Sequence, residues 1–295
     1  MLTKKRISVL YFIRLIKWDL VAIALYSILA GTFDHYWIFK QINIPLAVSA
    51  MVGTMLSLLL GFRTSQSYER WWEARVVWGA IVNDSRTLIR QLQQFLPNGP
   101  KSTPILSEFI HRQVIWCYAL SESLRRVPFS VKVEDYFRKH QFESANFPNL
   151  LLNKHSENLR ALSEQFQIDA NKQVQIDATI VRLCDSMGKC ERIKNTVFPR
   201  SYSLLIHFLI YVLMTMLPFG LEDKTKTVEI LLTFMVPVLF IAIERTAIIM
   251  QDPFENVPTD TPMTTLSKTI EANLQEMIGE KPIVQHSIDK GYYVM

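Results

Sequence analysis

One stretch limits the possible folds more than any other. Ile44–Phe62 is nineteen residues long and carries no charged side chain. The apolar core of a bilayer, about 30 Å thick, takes roughly 20 such residues as a helix, because every backbone polar group there must be satisfied within the segment. Ile44–Phe62 therefore reads as a membrane span. It breaks at Arg63 and gives way to Tyr68, Glu69, Arg70, Trp71, Trp72, Glu73 and Arg75, yet neither Pro nor Gly occurs between Phe62 and Gly79. Nothing in those residues stops a helix, so one uninterrupted helix is predicted to leave the bilayer and continue into a charged, aromatic-rich stretch.

Three further spans are predicted. Leu20–Phe39 contains Asp34 and His35 toward its end, Tyr202–Leu221 contains His207 and Pro218, and Ile230–Met250 contains Glu244 and Arg245. Charges inside a span are tolerated at its ends or against protein. Glu244 and Arg245, at the end of a span, are expected to form an ion pair that ties helices together. Four spans place both termini and the long middle segment on one side, and the basic Lys4, Lys5 and Arg6 make that side cytoplasmic. The outer loops, Lys40–Asn43 or Asp34–Asn43 and Glu222–Thr227, are short. The mean hydropathy of +0.13 fits such a mixed chain, part membrane and part aqueous.

The middle segment is predicted to be helical. Thr103 reads as an N-cap with Pro104 at the first helical position, and Leu106, Phe109, Ile110, Val114, Cys117 and Leu124 follow at helical spacing until Val127-Pro128. A second long helix is expected around Ala170–Asn195, with Ile176, Ile180, Leu183 and Met187 on one face. A last helix opens at Asp260, Thr261 and Pro262, carries Leu266, Ile270, Leu274, Met277 and Ile278, and stops at Gly279. No Asn-Gly or Asp-Gly hairpin signal occurs, so the fold class is all-α. The expected divisions are 1–62 (N-terminal segment and first two spans), 63–200 (cytosolic helices), 201–251 (last two spans) and 252–295 (C-terminal helix and tail).

Charge and cysteine use exclude several classes. The net charge of +5 sits largely at predicted membrane edges, as the positive-inside rule requires, and no basic-aromatic stripe marks a nucleic-acid module. Three cysteines, Cys117, Cys184 and Cys190, are an odd number without zinc-ligand spacing and read as reduced thiols. Lys17, Trp18 and Asp19 precede the first apolar run and no small-residue cleavage site follows it, so no cleavable signal peptide is expected. His35, His111, His140, His155, His207 and His286 are scattered. With no metal-binding His spacing, no Gly-x-Ser-x-Gly elbow and no Walker-type loop, neither an enzyme, a metal site nor a cofactor is expected.

Within the second span, Ser49, Gly53, Ser57 and Gly61 recur every four residues, a stripe that lets helix backbones approach closely in lipid. Beside it, Thr54, Leu58 and Phe62 recur with the same spacing. If several copies pack through the small stripe, the second face lines a shared axis, and the helix emerges through Arg63 into water. Alternatively, the small residues pack a monomeric bundle while Leu58 and Phe62 face lipid. Arg63, Arg70, Trp71, Trp72 and Arg75 read as interface anchors.

Gly61-Phe62-Arg63, Tyr68, Arg70, Glu73-Ala74-Arg75 and Trp78-Gly79 resemble the signature of the bestrophin channel family, above all its compact prokaryotic members. Cys190-Glu191-Arg192, Pro199, Tyr202, Leu217-Pro218-Phe219, Asp252-Pro253-Phe254, Thr269-Ile270-Glu271 and Asn273-Leu274 follow in the family's order. The resemblance covers the chain from about Trp18 to Gly279. It implies a homopentamer around one axial pore in the inner membrane of a prokaryote, with lipid and permeating monovalent ions as its other partners. Its hydrophobic neck would be Thr54, Leu58 and Phe62. Counting back from Cys190-Glu191-Arg192 places the family's second, cytosolic constriction at Asn171, where an amide replaces the usual aliphatic residue. The alternative role for Asn171 is to cap the following helix. Animal members hold calcium with an acidic run after their Asp/Asn-Pro-Phe motif; here only Glu255 and Asp260 flank it, and no such clasp is expected. Passive conduction of anions such as chloride is the expectation. Sodium or potassium conduction and an ion-coupled carrier are the alternatives.

Overall fold

A computed structural model describes residues 13–33, 44–97, 99–196, 198–221 and 226–280. The described residues are helical, with no strand among them. In chain order they form α1 (Lys17–Phe33), α2 (Leu46–Phe95), α3 (Ser102–Arg125), α4 (Val131–Lys139), α5 (Phe147–Phe166), α6 (Ala170–Asn195), α7 (Arg200–Met216), a short 3₁₀ turn (Pro218–Gly220), α8 (Lys226–Gln251) and α9 (Met263–Met277). The long helix expected from the lack of breakers is present: α2 runs 50 residues without interruption, about 75 Å at 1.5 Å per residue.

By their contacts, the residues form two compact units, and the division falls inside α2 between Arg70 and Trp71. The first unit comprises 13–70 and 198–252 among the described residues. Its core gathers Leu56 and Leu60 of α2 with Ile23, Ile206, Ile210, Leu213 and Ile241. α1 and α7 both pack on α8. Gly31 of α1 permits the first of these contacts, since a Cβ there would lie 2.5 Å from Ile230 Cγ1.

The second unit comprises 71–196 and 253–280. α3 is its central helix, packed by α4, α5, α6 and α9. Trp78, Trp116, Phe109, Ile115 and Leu88 are fully buried there, and the apolar faces expected on α3, α6 and α9 point into this core. Ile176, Ile180, Leu183 and Met187 of α6 are buried, as are Phe109, Ile110, Val114, Cys117 and Leu124 of α3 and Ile270 and Leu274 of α9. Gly279 follows α9 at φ +78°, a conformation that suits glycine.

Several boundaries differ from the expectation. α3 begins at Ser102 with Lys101 as its cap residue, so Thr103 and Pro104 lie inside the first turn. Proline is tolerated there because the first four N–H groups of a helix have no intrahelical partner. α7 stops at Met216, and Pro218 starts the 3₁₀ turn instead of continuing the span to Leu221. α4 and α5 have no counterpart in the sequence reading.

Two described helices, α2 and Thr227–Gln251 of α8, are by themselves long and apolar enough to cross a bilayer. α1 and α7 have 17 residues each, about 25 Å of helix, just short of the apolar core. The end of the first predicted span, residues 34–39, lies outside the described residues, as do both outer loops apart from short flanks.

Candidate functional site

α2 presents opposite characters on two sides. Leu56 and Leu60 are 0% and 2% exposed, whereas Leu58 and Phe62, two residues away on the helix, are 63% and 61% exposed. Thr54 shares the open side. Its Oγ1 donates to the Ala50 carbonyl at 2.9 Å, so the hydroxyl proton is taken up by the helix and the side chain offers a methyl and acceptor lone pairs. The chain therefore leaves the Thr54, Leu58 and Phe62 face without cover from its own described residues.

The small-residue stripe divides in two. Ser49 is buried and Gly53 half-buried beside Leu213, so this half packs within the chain itself. Ser57 and Gly61 are exposed. They line an open groove of about 500 Å³ with Tyr68, Phe240, Ile243 and Met250. A Cβ on Gly61 would meet nothing within 4 Å.

Arg63 corrects the expectation that the helix meets water there. Its side chain is 2% exposed and lies 3.3 Å from the carboxylate of Glu244, itself 0% exposed. Its Nη2 reaches Gln251 Oε1 at 3.5 Å, and the Phe198 ring centroid lies 5.1 Å from the guanidinium carbon. His207 Nδ1 stands 3.2 Å from the same Glu244 oxygen and 2.9 Å from the Ser203 carbonyl. Both neighbours of Nδ1 are acceptors, so Nδ1 carries a proton. Glu244 thus joins α2, α7 and α8. Arg245 turns to a different helix and pairs with Asp19 of α1 at 3.1 Å. The expected ion pair between these two residues is not formed; each instead ties α8 to other helices through its own partners. An apolar surrounding demands such pairing, since an unpaired charge there is costly.

The aromatic anchors also divide. Trp71 Nε1 donates to the Thr259 carbonyl at 2.8 Å, so its polar edge is spent on protein; Trp72 is about half exposed, and their ring centroids are 6.3 Å apart. Arg70 and Arg75 are half-buried. Glu73 pairs with Arg192 at 2.5 Å.

Asn171 stands in the first turn of α6 and is exposed. It is not the cap. Asp169 holds that position and accepts from the Asn171 backbone N–H at 3.0 Å. The Asn171 amide side chain makes no hydrogen bond among the described residues and stays available. A polar ladder absent from the sequence reading fixes α6 against α2. Thr179 Oγ1 donates to Gln91 Oε1 at 2.8 Å, Gln91 Nε2 donates to the Gln175 carbonyl at 3.3 Å, and Arg182 reaches Asp84 at 2.8 Å. Its only sequence signal would have been polar residues on the same face as a buried stripe.

The flanks of Asp252-Pro253-Phe254 are already engaged. Glu255 pairs with Lys194 at 2.6 Å, and Asp260 Oδ2 accepts from Val257 N–H at 3.2 Å. Among the described residues no group of three or more His, Cys, Asp or Glu is arranged to hold a metal ion. Cys117 and Cys190 are buried and Cys184 is exposed, all as free thiols; burial pushes the Cys117 and Cys190 thiols up to about 12.

The sequence profile of a family described as "Bacterial/Fungal Bestrophin protein" matches residues 6–276. A voltage-dependent anion channel-forming protein of Ralstonia nicotianae is 30% identical over 258 residues, 86% of this chain and 84% of that one. The voltage-dependent anion channel-forming protein YneE of Escherichia coli (strain K12) is 26% identical over 273 residues, 91% and 88% of the two chains. The crystal structure of a bacterial bestrophin homologue from Klebsiella pneumoniae superposes with a TM-score of 0.82 at 26% identity, covering 90% of this chain and all of that one.

Proposed function

This chain belongs to the bacterial and fungal bestrophin family, and on that premise we propose that it is a passive channel for monovalent anions such as chloride, built as a homopentamer in the inner membrane of a prokaryote. Each protomer contributes four spans, α1, the first part of α2, α7 and α8, with both termini cytoplasmic. Residues 1–62 and 201–251 form the membrane part, and 63–200 and 252–295 the cytosolic part. The observation that carries this reading is the uncovered Thr54, Leu58 and Phe62 face opposite the packed Leu56 and Leu60. Five copies joined through the open Ser57 and Gly61 groove would close that face into a ring.

Such a neck conducts only while it holds water, because shedding hydration between Leu58 and Phe62 rings is costly. Ring edges are positive and faces negative, so edge-on Phe62 side chains favour an anion. The related proteins named as anion channel-forming support that charge preference. Sodium or potassium conduction, the alternative reading, would follow from face-on rings. Asn171 supplies the second constriction in this proposal, with amide donors for a partly dehydrated anion. The scheme contains no catalytic step, cofactor or nucleotide.

Single-channel recording of the purified protein under an asymmetric KCl gradient tests it. A reversal potential near the chloride equilibrium value is expected, and Leu58→Ala with Phe62→Ala should raise the unitary conductance. A reversal near the potassium value overturns the anion assignment. Unchanged currents in the double variant overturn the neck.

A further inference from the structure

The first charge in sequence after the neck is Arg63, which suggests a basic mouth. The side-chain positions say otherwise. Arg63 is buried and paired with Glu244, so its charge is spent inside the protomer. At 100° per residue, Arg63 also lies a quarter turn from the Phe62 direction, and Arg70 lies about 80° away. Glu69 lies about 20° from the Phe62 direction, two turns or roughly 10 Å further along the helix. It is exposed, and Ser65, on the same open side, is exposed too. Glu69 oxygens accept from Ser65 Oγ at 3.4 Å and Gln66 Nε2 at 3.5 Å. These long contacts to neutral groups of the same helix orient the carboxylate without neutralising it. No cation pairs with Glu69 among the described residues.

We propose that Glu69 determines the electrostatic potential at the aqueous mouth of the neck, where it depletes anions and enriches cations. This rests on the reading of Thr54, Leu58 and Phe62 as a pore face. In the assembled channel five Glu69 carboxylates encircle the same axis as Phe62. The neck selects by ring geometry and wetting, whereas the Glu69 ring sets how many ions of each sign stand ready to enter. The two controls oppose one another in an anion channel. Because the ring guards one mouth only, anion entry from that side is slowed and the current rectifies.

The experiment is single-channel recording of the full-length protein and its Glu69→Gln, Glu69→Lys and Phe62→Ala variants in symmetrical KCl, at low and at high concentration. Glu69 is exposed, so its replacements leave the packed core untouched. The Debye length is about 20 Å near 0.02 M salt and about 3 Å at 1 M. At low salt, anion conductance should rise in the order Glu, Gln, Lys, by about two- to ten-fold overall for charges at this distance. The order should collapse at 1 M, and rectification should vanish in Glu69→Gln. Equal conductance of all three at both concentrations, alongside a changed Phe62→Ala, overturns the role of Glu69 and leaves the neck standing. A change of the same size at both concentrations also overturns it, since that marks a structural effect. If Phe62→Ala and the Glu69 variants all match the parent, the pore-face reading fails and this inference fails with it.

Discussion

Near Phe62, α2 keeps its arginine out of water, whereas near Asp84 the same helix pairs its carboxylate with an arginine of α6 that is half in water. The Arg63–Glu244 pair is enclosed on all sides. The Arg182–Asp84 pair is not: its arginine is 48% exposed. Identical chemistry has different consequences in the two places. At Arg63 and Glu244 a charge without its partner has no water to turn to, so the pair dictates that α2 and α8 must meet. At the Arg182–Asp84 pair solvent stands in for a lost partner, and the surrounding unit is held by the large apolar core around Trp78 and Trp116.

Breaking this contrast should have its largest effect at Glu244. Replacing it with Ala strands Arg63 and should cost about 3–5 kcal/mol of stability. A combined Arg63→Met and Glu244→Leu variant should recover most of that loss, as read by thermal unfolding in detergent. An equally unstable double variant would show that the pair contributes more than mutual neutralisation.

Two leucines sharpen the comparison of faces within one helix. Leu60→Ala removes a packed side chain and should cost about 2–5 kcal/mol. Leu58→Ala should stay within about 0.5 kcal/mol in thermal unfolding of the protomer. Equal costs would mean that the open face is covered by the protomer itself.

His155 tests the core of the second unit. It is fully buried and stacked on Phe109 at 5.1 Å, with neither ring nitrogen hydrogen-bonded. Burial, reinforced by the positive charge of Arg112, holds its imidazole well below the ordinary histidine range. The folded chain therefore keeps it neutral, while the unfolded chain takes up a proton near pH 6.5. Its contribution to stability is fully present above about pH 6.5 and falls by about 1.4 kcal/mol per pH unit below it. Urea unfolding between pH 7 and 5 should show this slope in the parent and a flatter one in His155→Phe. The smallest effect belongs to Arg160, whose pair with Glu164 is 83% and 69% exposed. Arg160→Ala should change stability by under about 0.5 kcal/mol in the same assay.

Much of this was legible from local spacing. The absence of breakers after Phe62 gave an uninterrupted α2, and the four-residue recurrence of Thr54, Leu58 and Phe62 picked out one open face. The buried stripes of α3, α6 and α9 followed from helical periodicity. The shift at Thr103-Pro104 has a local cause too, since any first-turn position accepts proline. α4 is short, and a nine-residue helix carries too few turns for a periodic signal. The direction of Arg63 was not legible, because the charge that draws it inward is Glu244, 181 positions away. Likewise, only the folded chain shows that Asp169 caps α6 and frees the Asn171 amide.

By itself, then, the sequence determined that α2 and α8 are apolar enough for a bilayer, where α2, α3, α6 and α9 run and which of their residues share a face, because hydrophobic length and helical period are properties of neighbouring residues. The tertiary structure alone decided which face of α2 is packed and which is open, and which charges are neutralised within the protomer. Those outcomes depend on what chain-distant helices bring into contact. A charge in an apolar surrounding is tolerated only where a partner from elsewhere in the chain arrives to meet it.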